Sequence, residues 1–338
     1  MAAEISTVAD DEVVVHDGTT VRRYEGLAPG TEHTLDGETV RTLPRPAGAL
    51  LCRVATVNDT HFGETLCGLV EGTDIGPVLR VDPADPYPEM MNAAAAGEIA
   101  AIDPAVVLAK GDLTTDGTAA EWARFEAVYG ATFGERLHLV RGNHDAMAGL
   151  DHGTGAPFTV DVPGARLAVL DTVVAFSDRG RLSTEQVEWL DDTARDAGAD
   201  GVPLLVFGHH HAWNPEATIR PDDYFGINPD DTDRLVDVVA RRPAIRGYFA
   251  GHTHRNRVRR FAATGEVPFV EVACVKDYPG TWAEYRIHEG GILQVHRRIS
   301  SPAALAWSER CRAMYDGGYA DYALGSLDDR CFALPSSR

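Results

Sequence analysis

Five apolar runs in this chain stop at side chains that bind metals, and this recurrence limits the fold more than any other feature. Leu50–Val57 runs into Asn58-Asp59-Thr60-His61, 105–109 into Lys110-Gly111-Asp112, and Leu137–Val140 into Arg141-Gly142-Asn143-His144-Asp145. The fourth and fifth runs, 203–207 and 245–250, end at Gly208-His209-His210-His211 and Gly251-His252-Thr253-His254. Short continuous apolar runs bounded by such residues read as strands buried on both faces. A glycine at the strand end lets the backbone turn sharply and approach a ligand closely. In open α/β sheets ligands bind beyond the carboxyl ends of the strands. If the five strands are neighbours, Asp59, His61, Asp112, Asn143, His209, His252 and His254 meet around one crevice. A single tetrahedral zinc takes only four ligands. The set suits two ions of higher coordination sharing a carboxylate, and Asp112, alone at its strand end, is the natural bridge.

Between these strands the pattern alternates. Helices are predicted over 89–101, 118–129, 183–197 and 231–240, the third opened by a capping box from Ser183 to Gln186. Further strands are predicted at 158–162 and 167–171. After the last block, 257–262, 268–275, 282–288 and 293–299 read as successive antiparallel strands joined by glycine-containing turns. A helix over 302–315 and an irregular tail from 319 to 338 finish the chain. The expected fold class is α/β: two packed sheets flanked by helices. Residues 1–48, with strands at 12–15, 20–24 and 38–42, form a small N-terminal β-hairpin appendage, 49–300 the catalytic domain, and 301–338 a C-terminal helix and tail. Residues 63–88 are rich in Gly, Pro and Asp without periodicity, the mark of a functional loop.

Composition narrows the function. A net charge of -20 argues against a nucleic-acid polymer as partner, because phosphate backbones reward Lys and Arg. Small phosphorylated substrates stay open, since a bound metal can dominate the local field. The five cysteines form no CxxC pair, and their odd number fits a reducing compartment, with a Cys311–Cys331 bridge as the minority alternative. The first residues lack the basic and apolar regions of a secretory signal. No run reaches the roughly 20 apolar residues of a membrane span. The expectation is a soluble, cytoplasmic protein.

Taken in order, Asp59-x-His61, Gly111-Asp112, Gly142-Asn143-His144-Asp145, His209-His210 and Gly251-His252-Thr253-His254 resemble the motif set of the calcineurin-like metallophosphoesterases. Each block alone is weak, and five in sequence are specific. The resemblance spans roughly residues 50–300. It implies a four-layer α/β/β/α sandwich of two mixed sheets, with two divalent or mixed-valence ions drawn from Mn²⁺, Fe²⁺/Fe³⁺ or Zn²⁺. One ion would take Asp59, His61 and His254 and the other Asn143, His209 and His252, with Asp112 between them. Two such ions can hold a bridging water, lower its pKa and clamp phosphoryl oxygens for in-line attack. His144 would act beside the leaving group as a catalytic residue, and Asp145 would support it by orienting a histidine.

This chain departs from the family pattern at two points. His211 stands where a proline usually follows the histidine pair, so His210 competes with His209 as ligand or contacts substrate. The long 63–88 stretch should reshape the substrate entrance. Arg255, beside His254, is a candidate for steering phosphate, against the plainer reading of a solvated charge. Lys276-Asp277-Tyr278-Pro279-Gly280 is a turn that could border the site, and His152 lies in a glycine-rich loop nearby. The set of blocks leans to a small-molecule phosphodiester of cyclic nucleotide or glycerophosphodiester type. A phosphomonoesterase is the alternative, and a non-catalytic scaffold the remote one. The N-terminal hairpins and residues 302–338 have three open roles: capping the site, forming a homodimer, or sealing the core.

Overall fold

Successive residues of the central strands serve different layers, because side chains alternate across a strand. In Leu50–Val57, Val54 faces the space between two sheets, while Ala55 and Val57 pack beneath helices. Leu204–Phe207 repeats this: Leu205 and Phe207 enter the inter-sheet core, Leu204 and Val206 the opposite helical layer. Where both faces are covered, successive positions are apolar, as throughout Leu204–Phe207.

The computed structural model describes residues 3–335 apart from 71, 83–85, 150, 151 and 154. Parts of the 63–88 stretch and the last three residues of the 319–338 tail thus lie outside the described residues. One six-stranded sheet has the order Leu137–Val140, Val106–Lys110, Leu50–Val57, Thr281–His288, Gly291–Arg298, Phe332–Ala333. Its first three strands are parallel and the rest antiparallel. The other runs Phe158–Val162, Ala165–Val169, Leu204–Phe207, Ile245–Ala250, Pro268–Glu271, Arg257–Arg260, parallel in the centre with antiparallel edges. Helices Tyr87–Ala101, Ala119–Phe125 and Pro302–Cys311 cover the first sheet, Thr184–Ala199 and Pro229–Arg241 the second. The α/β/β/α sandwich is therefore present.

Several local expectations need correction. The strands after residue 256 do not form one meander. Arg257–Arg260 and Pro268–Glu271 complete the second sheet, and Thr281–His288 crosses to pair with Leu50–Val57 in the first. Pattern alone gives strands but not their partners. The helix predicted over 118–129 is α-helical only to Phe125 and continues as a wider π turn, Glu126–Gly130. Ser183 caps its helix through the Gln186 amide, but the Gln186 side chain reaches the Asp171 carbonyl (2.9 Å) instead of closing a capping box. The tail is not irregular throughout: Tyr319–Leu324 and Leu327–Arg330 are helical, and Phe332–Ala333 pairs with Gly291–Arg298. The predicted helix over 302–315 stops at Cys311. All five cysteines are free: Cys331 accepts from the Val8 and His296 amides, while the Cys311 side chain hydrogen-bonds Cys67.

The N-terminal residues form a three-stranded sheet, with Glu4–Val8 pairing Glu12–Asp17, and a separate hairpin of Glu32–Leu35 and Glu38–Arg41. The first of these strands was missed because EISTV is half polar. Val8, Val13 and Val15 pack on Leu293 and Val295 of the first sheet. Beside them lies a buried ionic network. Glu12 accepts from Arg286 (2.7 Å) and Arg297 (2.5 Å), and Glu284 accepts from Arg53 (2.9 Å) and Arg297 (2.5 Å). Burial alone would raise the Glu12 carboxyl, but the two arginines hold it at about 2. A carboxyl depressed on folding contributes stability above its unfolded pKa near 4.5 and loses it as the pH falls towards 2. The acid limb of the unfolding curve should therefore steepen between pH 4.5 and 2. In Glu12→Gln that steepening should shrink and stability at pH 7 should fall by roughly 3 kcal/mol, as read by urea titration across pH.

Candidate functional site

Three of the five strand ends turn out of their sheets through an unusual backbone conformation. Asp59, His61, Asp112, His252 and His254 all have positive φ, between 43° and 68°. Among non-glycine residues this left-handed region is uncommon, and Asp and His tolerate it better than most. The turns are tied together by backbone bonds: Asp59 N–H to Gly111 O, Thr60 and His61 N–H to Asp112 O, and Gly251 N–H to His209 O, at 2.8–3.0 Å. Glycine is required at 142, where a Cβ would meet the Asp112 amide nitrogen and Oδ1 at 2.2 Å.

The structure brings the seven candidate ligands together along the crest of both sheets. Asp112 Oδ2 lies 3.2 Å from His209 Nε2 and 3.7 Å from His61 Nε2. Asn143 Oδ1 is 3.1 Å from the same His209 nitrogen, and His254 Nε2 is 3.4 Å from Asp59 Oδ1. Ligand atoms of Asp59, His61 and His254 fall within 4.8 Å of one another, as do those of Asp59, Asp112 and His209. A third such group is His209, His210 and His252. His209 Nδ1 donates to the Lys110 carbonyl (2.9 Å) and His252 Nε2 to that of Phe225 (2.6 Å), so in each ring the other nitrogen is the one that would serve an ion.

The electrostatics fit cations. Asp59 and Asp112 are 0% and 2% exposed. Burial would raise the Asp112 carboxyl, yet His209, His144 and His61 around it hold it well below the usual range. Burial would lower His209, but the charges of Asp112 and Asp59 raise it to about 9. Burial, with His209 next to it, brings His252 down to about 4. Both ring nitrogens of His61 are buried without a hydrogen-bond partner among the described residues. Buried polar atoms are rarely left so. Carboxylates, an amide oxygen and imidazole lone pairs converging on shared points form the donor set of hard to borderline metal ions.

The remaining candidates divide. His144 Nδ1 donates to Thr115 O (2.6 Å), its amide donates to Asp112 Oδ1 (2.9 Å), and its ring stands 4.7 Å from that of His61. Asp145 does not orient a histidine: its carboxylate accepts from the amides of Gly142, Leu113 and Thr114 and from the Thr114 hydroxyl, at 2.7–3.1 Å. Four donors exhaust it, so it clamps the 112–114 turn to the 142–145 turn. His210 is buried, with Nδ1 on Thr172 Oγ1 (2.8 Å) and Nε2 without a partner among the described residues, near His209 and His252. His211 instead meets the Tyr224 hydroxyl (2.6 Å). Arg255 turns to Glu271 (2.8 Å) and lies over the Tyr322 ring. His152 stacks on Trp122.

Sequence patterns did not single out the supporting residues. Asn58 donates to Asp59 Oδ2 (2.6 Å) and to two carbonyls of the 272–273 segment. Lys110 is wholly buried beneath the centre and donates to Ala250 O (2.9 Å). The turn at 276 does border the site: Asp277 Oδ2 lies 4.0 Å from His254 Nδ1, and Lys276 pairs with Glu64 (2.7 Å). Adjacency to a ligand block was the available signal for Asn58 and Lys110. Asp277 belongs to the 276–280 turn already noted as able to border the site, and Glu64 stands three residues after His61, but neither position indicated its partner.

Comparison with known proteins gives the family and the fold. The sequence model of the family described as calcineurin-like phosphoesterase matches residues 52–256. A probable cyclic nucleotide phosphodiesterase of Synechococcus is 29% identical over 168 residues, covering 48% of this chain and 63% of that protein. A glycerophosphodiester phosphodiesterase of Enterobacter lignolyticus is 29% identical over 164 residues, covering 45% and 56%. The chain thus spans less than two thirds of the length of these relatives. The crystal structure of a dimetal phosphatase from Danio rerio shares the fold, with a TM-score of 0.56 at 13% identity over 74% of this chain and 97% of that one. No helix among the described residues is long and apolar enough to cross a membrane. With 52–256 matched and the five blocks gathered on one crest, the chain belongs to the calcineurin-like phosphoesterase family.

Proposed function

We propose that this protein hydrolyses a small-molecule phosphodiester at a dinuclear metal centre. The observation that carries the reading is the Asp112 carboxylate, buried between His61 and His209 at 3.7 and 3.2 Å. Asp59, His61 and His254 would hold one ion and Asn143, His209 and His252 the other, with Asp112 shared. Such a pair, when bound, supplies Lewis acidity that lowers the pKa of water and neutralises phosphoryl oxygens. The chain's own contribution is position. With the Nδ1 proton of His144 fixed on Thr115 O, Nε2 is left to carry the proton given to the departing ester oxygen. The Asp145 clamp keeps Asn143 and Asp112 in one rigid unit.

A diester is favoured over a monoester by the state of the nearby cations. A dianionic monoester needs free basic groups, and four of those beside the ligand blocks are committed. Arg255 pairs with Glu271, Lys276 with Glu64, Arg141 with Asp171, and Lys110 with a carbonyl. A monoanionic diester makes no such demand and needs room for a second arm.

Protein loaded with Mn²⁺ or Zn²⁺ should turn over bis(p-nitrophenyl) phosphate faster than p-nitrophenyl phosphate. Equal or faster monoester turnover would reverse the assignment. Fewer than two metal equivalents with no phosphoester hydrolysed would leave a non-catalytic scaffold. Asp112→Ala should lose metal and activity together, measured by elemental analysis and assay. His144→Ala should keep both metals and lose roughly 10²–10⁴-fold in kcat. Gly142→Ala should stay folded yet bind metal poorly, because the added methyl displaces Asp112; full metal occupancy would show that the turn yields.

A further inference from the structure

Against the His252–His254 side of the centre lies a cleft of about 520 Å³ whose remaining wall lies outside the five blocks. Its wall comes from three places: Val70 of the long loop, Phe225, and Tyr315, Tyr319 and Tyr322 beyond the family-matched residues. Phe225, Tyr322 and Val70 are 45%, 43% and 36% exposed, an unusual grouping of large apolar side chains at the surface.

We infer that this cleft is the subsite for one ester arm of the substrate, and that the arm is a planar heteroaromatic group such as a nucleobase. The inference rests on the phosphodiester reading and adds the identity of the arm. First, the cleft is continuous with the candidate ligands, because His252 and His254 belong to its lining. Second, its rings are held rigid. The Tyr322 hydroxyl donates to Thr253 O (2.9 Å), the Arg255 guanidinium covers its ring at 5.0 Å, and Tyr319 donates to Asp277 Oδ1 (2.7 Å). Phe225 is anchored through its carbonyl on His252. Fixed aromatic faces reward a flat ring by stacking and give a flexible polyol little. Third, Thr253 lines the cleft between the two histidines, and its hydroxyl, buried from solvent, has no hydrogen-bond partner among the described residues. A glycerol arm would leave its own hydroxyls facing apolar walls.

Calorimetric titration of the full chain, with and without Mn²⁺, tests this using AMP, glycerol 3-phosphate and inorganic phosphate. The two organic phosphates share the charged group and differ only in the arm. AMP should bind roughly 10-fold or more tightly than glycerol 3-phosphate, as expected for one stacked base. Tyr322→Ala and Phe225→Ala should each remove most of that ratio and leave phosphate binding unchanged, while Tyr322→Phe, which keeps the ring, should preserve it. Equal affinity of the wild type for AMP and glycerol 3-phosphate would overturn the subsite, as would an unchanged ratio in folded Phe225→Ala and Tyr322→Ala. A Tyr322-dependent AMP preference in a protein that spares bis(p-nitrophenyl) phosphate would keep the subsite and reject the diesterase. Diester turnover without the preference would do the reverse.

Discussion

Two carboxylates withdrawn from water, Asp59 and Asp112, set the terms for everything around them. Burying a charge is expensive unless it is paired and hydrogen-bonded. Here the compensation comes from both sheets at once. Asp59 takes the Asn58 amide and the His252 N–H, and Asp112 takes the His144 N–H and faces His209. The layered core beneath gives these groups no freedom to relax, since Leu205, Phe207, Phe249 and Tyr285 fill the space between the sheets. The polar crest and the apolar sandwich are therefore one problem: the sheets must be covered on both faces so that chemistry is left only to their ends.

Much of this was legible in the residues. The mainly apolar runs at Leu50–Val57, Leu137–Val140 and Ile245–Ala250 have those bounds in the structure, because the ligand blocks that follow them end the pairing sharply. The same logic failed after residue 256, where which strand pairs with which depends on contacts far apart in sequence. Thr281–His288 finds Leu50–Val57, and Phe332–Ala333 finds Gly291–Arg298. Half-polar strands such as Glu4–Val8 carry too little periodicity to declare themselves.

At the site, the blocks indicated residue types and order, but not how the atoms are engaged. Asp145 illustrates the limit. Its position beside His144 suggested a partnership, whereas its oxygens are spent on three amides and a hydroxyl. Arg255 is similar: proximity to His254 suggested phosphate, and its guanidinium instead serves Glu271 and Tyr322. Neighbours in a turn diverge by up to a full side-chain length, so adjacency in sequence predicts location better than partnership.

The left-handed backbone at Asp59, His61, Asp112, His252 and His254 has a consequence for how such a centre can change. Replacing these residues by most others adds steric strain to the loss of a ligand atom, so loop shape and donor identity are lost together. Asparagine is the nearest exception, because it accepts the same backbone region, although it also exchanges one carboxylate oxygen for an N–H donor. Changes between Asp and Asn can therefore retune the charge of the crest one unit at a time without rebuilding a turn. The family of shapes stays fixed while its electrostatics remain free to drift.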